Sequence, residues 1–184
     1  MRSLASALPL LYACFLVLPA SAQTVPLVAV DVVGGTGPRT DHSGSLWFKS
    51  EGASMTRIGI AVRLGGPSPV RPVLIFDESL DIGSGDQVSI CALAPNGSCR
   101  ARFPGTAGPA VGVGVRMALG SRVLAGTAVG IGSYSSTVRF ADVDLSARFA
   151  KHLGVTAGLR HIAWTDAAGH RLWFRPVTFG LRVF

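Results

Sequence analysis

Between Phe140 and Phe149 the chain alternates without a break. Ala141, Val143, Leu145, Ala147 and Phe149 fall on one side, with Asp142, Asp144, Ser146 and Arg148 on the other. Successive side chains of a strand point to opposite faces, so a period of two predicts a strand. The pattern recurs at Val111, Val113, Val115, Met117 and Leu119, set against Gly112, Gly114, Arg116 and Ala118. It recurs again at Val123, Ala125, Thr127, Val129 and Ile131, set against Gly126, Ala128, Gly130 and Gly132. One set is nearly always apolar; the other mixes glycine, alanine and ionised residues. Such a chain folds into sheets with one apolar face, and the pattern points to a barrel with an apolar outside and a polar inside.

Eight segments carry strand signals: Pro26 to Gly34, Met55 to Leu64, Val70 to Asp77, Pro109 to Leu119, Arg122 to Ser133, Phe140 to Phe149, Gly154 to Trp164 and Arg171 to Phe184. Pro72 is awkward in the third, because it removes a ladder donor. The connections near 65–69, 120–121 and 151–152 are short, and Gly120-Ser121 is a tight hairpin signal. Those at 35–54 and 78–108 are long, and those at 134–137 and 165–170 brief. Eight antiparallel strands with both ends on one side need three turns there and four loops opposite. The three shortest connections fall where the turns belong and the two long ones where loops belong. The fold class expected is all-β, an eight-stranded antiparallel up-and-down transmembrane β-barrel.

Charge placement decides which solvent the barrel faces. Arg57, Arg63, Arg116, Asp142, Asp144, Arg148 and Arg160 all lie in the phase opposite the apolar one. A soluble lipocalin-like barrel has the reverse arrangement, apolar inside around a ligand and charged outside. These seven residues are therefore read as an ion network in the lumen, where pairing offsets the cost of burying charge. An eight-stranded interior is just wide enough for side chains to fill, and glycines there make room for long arginines. Trp47, Phe48, Phe76, Tyr134, Phe140, Phe149, Trp164 and Trp173 sit near strand ends, as aromatic girdles at the two membrane interfaces do.

The N-terminal 22 residues read as a secretory signal. Arg2 supplies the positive region, Leu8 to Leu18 the apolar run, and Ala20-Ser21-Ala22 the small-residue cleavage site. That run is too short for a spanning helix. A lipobox around Cys14 is the alternative, with Tyr12 bulky for it. Residues 23–184 then form one domain, the barrel. The formal net charge is +7, one unit of which is Arg2. The remaining arginines are spread singly along strands, so no nucleic-acid partner is expected. Hydrophobic residues make up 48% of the chain and charged ones 15%, a composition that a membrane barrel expects without any long apolar helix. Cys91 and Cys99 flank a turn at Pro95-Asn96-Gly97 and are expected to form a disulfide in an oxidising compartment. No histidine lies near them to complete a metal site.

The signal segment, the strand count and the ending Phe179-Gly180-Leu181-Arg182-Val183-Phe184 together resemble the small eight-stranded bacterial outer-membrane barrels, the family of the outer membrane protein A transmembrane domain and outer membrane protein X. The resemblance covers about residues 24–184. It implies outer-membrane lipids as surroundings and a C-terminal assembly signal, carried by Phe179, Leu181 and Phe184, for the barrel-insertion machinery. Val183 and Phe184 are adjacent, so Phe184 leaves the apolar phase of Phe179, Leu181 and Val183. Either the residue swings out of register or the signal is imperfect.

Some barrels of this size modify lipids. Deacylases of similar fold use a histidine with a serine two residues later, and here His161 is followed by Ala163 at that spacing. His161 is read as interfacial, on the lipid face near the outer rim. Asp142 and Asp144 could act as a carboxylate pair, but arginine neighbours favour the ion network. Asp77, Glu78, Asp81 and Asp86 form an acidic cluster in the 78–108 connection; they match no EF-hand spacing and are read as solvated loop acids. No catalytic residue, cofactor or metal is expected. The functional expectation is an integral outer-membrane barrel, structural or adhesive, that meets an unknown extracellular partner through its long loops. A narrow channel, a lipid-modifying enzyme and a soluble carrier are the alternatives.

Overall fold

The computed structural model describes residues 24–43, 46–90, 98–103, 106–133, 137–165 and 171–184, with the side chains of 43–48, 51 and 84–106 outside that description. The expected signal segment, Cys91 and the side chain of Cys99 therefore lie outside the described residues. All described secondary structure is strand: β1 (Val28–Ser43), β2 (Leu46–Arg63), β3 (Val70–Ile90), β4 (Ser98–Phe103), β5 (Thr106–Ala118), β6 (Val123–Ser133), β7 (Thr137–Arg148), β8 (Leu153–Thr165), β9 (Arg171–Phe174) and β10 (Val177–Val183).

These ten segments fill eight positions around one closed antiparallel barrel. β4 and β5 both pair with β3, and β9 and β10 both pair with β1 and β8. Pro176, which lacks an N–H, divides β9 from β10. The ring closes where β1 meets β10, in a register that sets Val30 against Val183 and Asp31 against Arg182. Closure pairs both edges of the described strands through the apolar belt, and the lack of free edges there is what lets a sheet stand in hydrocarbon. Pro72 is accommodated at the last rung, where its carbonyl accepts from the amide of Leu64 just past the end of β2.

The two phases separate through the middle of the barrel. Outward, Val143 is 62% exposed, Leu159 63% and Phe179 64%, and valine, isoleucine and leucine from β1, β2, β3, β5 and β6 continue the same apolar surface. Inward, Asp31, Arg57, Asp77, Arg116, Asp142, Arg160 and Arg182 are buried among Ala29, Ala61, Ile75, Ala110, Ala128 and Phe140. At one end the turns after β2, β5 and β7 are short; Gly65 and Gly120 in two of them have φ of 80° and 102°, a conformation glycine adopts without strain.

The opposite end differs from the expectation of long loops at 35–54 and 78–108. β1 and β2 stay paired out to Ser43 and Leu46, and β3 runs to Ile90 with β4 paired against it. Backbone pairing satisfies amides whether or not the side chains face lipid, so these strands continue past the apolar belt as projecting hairpins. Serine, glycine and charged residues in those stretches break the apolar alternation that marks the belt, and the strands are unreadable there for that reason.

Glycines on the inner face keep the lumen from overfilling. The Phe140 ring lies across Gly112 and Gly130; a Cβ at Gly112 would stand 2.8 Å from the Phe140 Cζ and 2.7 Å from the Val129 carbonyl oxygen. Gly112→Val is expected to destabilise the barrel by about 1–3 kcal/mol, the range for overpacked cores. Val113→Leu, one residue on and outward, is expected to leave stability unchanged. Urea-unfolding midpoints in detergent micelles compare the two.

Candidate functional site

The interior is organised around four arginines and four aspartates: Arg57, Arg116, Arg160 and Arg182 against Asp31, Asp77, Asp142 and Asp144. Each sits on an inward rung of its strand, and β6 contributes Gly126, Ala128 and Gly130 in place of charge. The small residues create the space. A Cβ at Gly126 would lie 2.6 Å from Asp144 Oδ2, and one at Gly59 would lie 2.6 Å from Asp77 Oδ1 and 2.8 Å from Arg57 Nη1.

Two groups of contacts divide the site. Across the closing seam, Arg182 donates a fork to Asp31, Nε to Oδ1 at 2.5 Å and Nη2 to Oδ2 at 2.8 Å. Its Nη1 donates to Asp144 Oδ1 and Ser146 Oγ, both at 2.8 Å. Arg116 approaches Asp31 at 3.6 Å. In the second group Asp77 lies between Arg57 and Arg160, 2.8 Å from each. Arg160 also reaches Asp142 at 3.2 Å and stacks on the Phe140 ring at 4.1 Å. Asp142 and Arg160 oppose each other directly across β7 and β8. Charged, forked hydrogen bonds of this kind are the strong ones, and they offset the desolvation of both partners.

A pocket of about 10 Å³ remains between Asp31, Arg57, Asp77, Arg116, Asp142 and Asp144, the room of one water molecule. Arg116 Nη1 and Asp142 Oδ1, on residues lining it, are buried without a hydrogen-bond partner among the described residues.

Of the seven residues assigned to the lumen from sequence, Arg57, Arg116, Asp142, Asp144 and Arg160 meet in these contacts. Arg63 and Arg148 lie at the turn end instead. Arg63 donates to the Val25 carbonyl at 2.6 Å, and the Arg148 guanidinium stacks 4.3 Å from the Phe184 ring centroid. Both stand one or two inward rungs beyond the aspartates, near where the strands give way to turns. Phe184 does not swing out to the apolar phase. It keeps the inward phase of Arg182 and packs beside Gly154, while Phe179 and Leu181 face outward.

Sequence reasoning missed Asp31, Asp77 and Arg182. Asp77, placed there in an acidic loop cluster, is buried in β3, while Glu78 points outward, so the two cannot share a cation. The signal existed: Val73, Ile75, Asp77 and Ser79 keep one phase, as do Ala29, Asp31 and Val33. A further pair, Arg39 with Asp41 at 2.9 and 3.0 Å, lies above this layer, where Arg39 also donates to the Gly83 carbonyl and stands 5.3 Å from the Trp164 ring. His161 faces outward, its Nδ1 accepting from Arg175 Nε at 3.3 Å.

No family model and no curated protein matches the chain. Among solved structures, the fold is similar to Neisserial surface protein A, with a TM-score of 0.49 and 12% identity over 86% of this chain and 97% of that one. It is also similar to Ail, the attachment invasion locus protein of Yersinia pestis, at 0.43 and 6% over 85% and 99%. The outer membrane protease OmpT from Escherichia coli scores 0.45 at 10% identity over 90% and 99%. At these identities the likeness is one of general shape and says nothing about activity.

Removing one partner of a buried pair strands the other charge. Arg182→Met is expected to cost about 3–5 kcal/mol of folded stability, and Asp31→Asn in the same chain to restore part of it. A double-mutant cycle on urea midpoints measures the coupling; strict additivity would show that Arg182 and Asp31 do not act as a pair.

Proposed function

We propose that the chain is an integral β-barrel of the bacterial outer membrane, with a lumen closed by its own side chains and with contacts made by the β1–β2 and β3–β4 hairpins. One observation carries this reading: the barrel is inverted relative to a water-soluble one, with its ionised residues buried and its valines, leucines and isoleucines turned out. In water that surface would aggregate; in hydrocarbon it is the stable face. The sequence-level secretory signal agrees with an envelope destination. Outward Phe179 and Leu181, with inward Phe184, are the residues assigned to recognition by the barrel-insertion machinery.

The interior supports a structural or adhesive role over a catalytic or conducting one. Each lumen aspartate is committed to an arginine, so none is poised as a general base. The space between them holds about one water, too little for a hydrated ion to pass. The partner met beyond the membrane lies with the projecting hairpins.

Expressed with its leader in a Gram-negative host, the protein is expected in the outer-membrane fraction, resistant to salt extraction. It is expected to migrate anomalously on gels until boiled and to give no resolved unitary currents in planar bilayers. Recovery in the salt-extracted supernatant would overturn the membrane assignment; steady single-channel currents would overturn the closed lumen.

A further inference from the structure

Almost all outward positions in the belt are apolar, but three basic residues break the rule together. Arg139 on β7, His161 on β8 and Arg175 between β9 and β10 all face outward. Ala141 opposes His161, so Arg139 is diagonal to His161, roughly 7–8 Å away on an antiparallel pair. His161 is joined to Arg175 by the 3.3 Å hydrogen bond. Below Arg139 the outward run on β7 is apolar down to Phe149, and below Arg175 it is apolar on β10 from Val177 to Val183. Allowing for strand tilt, that run spans roughly 20–25 Å, about the height of an outer-membrane apolar band. The basic cluster therefore stands at the rim of the belt remote from the short turns, at headgroup depth. Trp173, a residue type that favours this depth, lies beside it. The outward acid Glu78 is separated from it by β5 and β6.

Two grooves run into the belt from this cluster. One, about 550 Å³, has Arg139 on its wall and is lined by Leu74, Val111, Val113, Val129 and Ile131, with the backbone of Gly112 and Gly130 at its floor. The other, about 680 Å³, has His161 and Arg175 on its wall and is lined by Val129, Ala141, Val143 and Leu159. Val129 is the ridge between them. The grooves are apolar, the wall residues basic, and the two meet at one edge of the bilayer.

We propose that this face is a binding site for a phosphorylated lipid: Arg139, His161 and Arg175 hold the phosphate, and two acyl chains lie in the grooves on either side of Val129. The occupant follows from charge and shape. A zwitterionic lipid would set its own cation against the arginines, whereas an anionic one neutralises them. The proposal rests on the membrane assignment above and adds to it a specific headgroup and place.

Native mass spectrometry of the full barrel, released from neutral detergent after incubation with phosphatidylglycerol or phosphatidylcholine, tests it. The wild type is expected to retain phosphatidylglycerol preferentially. Arg139→Gln with Arg175→Gln is expected to weaken that retention about 25-fold, near fivefold for each basic side chain at an anionic surface, with phosphatidylcholine unaffected. The single substitutions, each expected to lose about fivefold, serve if the double variant does not fold. Equal retention of both lipids by the wild type, or undiminished phosphatidylglycerol retention by the variants, would overturn the site. Heat-dependent migration of the same samples reads the barrel assignment separately, so a lipid site that fails in a barrel that still shifts on boiling fails by itself.

Discussion

The closing seam is the interaction on which the rest of the structure depends. An open sheet in hydrocarbon would leave a row of unpaired amides and carbonyls on each edge, each costing several kcal/mol. β1 and β10 remove both edges by pairing with each other, and one rung in from the end of that pairing Asp31 and Arg182 stand directly opposed. Backbone ladder and charge pair thus act on the same rung. The Arg182 fork also extends to Asp144 and Ser146 on β7. One guanidinium thereby ties the seam to β7, past the intervening β8, so the barrel is braced from within as well as around its circumference.

Once the apolar phase is outside, the interior must be filled by whatever remains, and side-chain volume becomes the governing quantity. Four arginines are long, and an eight-stranded lumen is narrow. Glycine at the rungs facing Asp77, Asp144 and Phe140 supplies the missing width. The equal number of arginines and aspartates leaves the central layer without net charge, which is what a low-dielectric interior tolerates best. The chain's positive charge is carried elsewhere, at the turn end and around the outer rim.

Much of this was legible in the chain. On β5, β6 and β7 the strict period of two, with bulky residues in one phase and small or ionised ones in the other, gives strand, face and solvent together. Legibility fails where that contrast fades. In β3 the acidic residue at 77 belongs to the inward phase while 78 belongs to the outward one, and adjacent acids read as a loop unless the alternation is followed through them. In β1 and β2 beyond Gly37 the outward phase is no longer apolar, so no contrast between the two faces marks the pairing in the sequence. Partners of individual charges were not legible at all. Arg182 and Asp31 are 151 residues apart, and only ring closure brings them to one rung. Arg63 and Arg148 share the right phase but the wrong height, and height follows from register between strands, which a single strand does not encode.

The strands are also of unequal reach. β1, β2 and β3 run 16, 18 and 21 residues, whereas β6, β7 and β8 run 11 to 13. At about 3.3 Å per residue, one arc of the circumference stands taller than the opposite arc, like a cup cut on a slant. The molecule therefore has a front and a back in the plane of the membrane. A body approaching parallel to the bilayer meets a wall from one compass direction and a low sill from the other, and the lateral orientation of the barrel decides which flank is presented to a neighbouring surface.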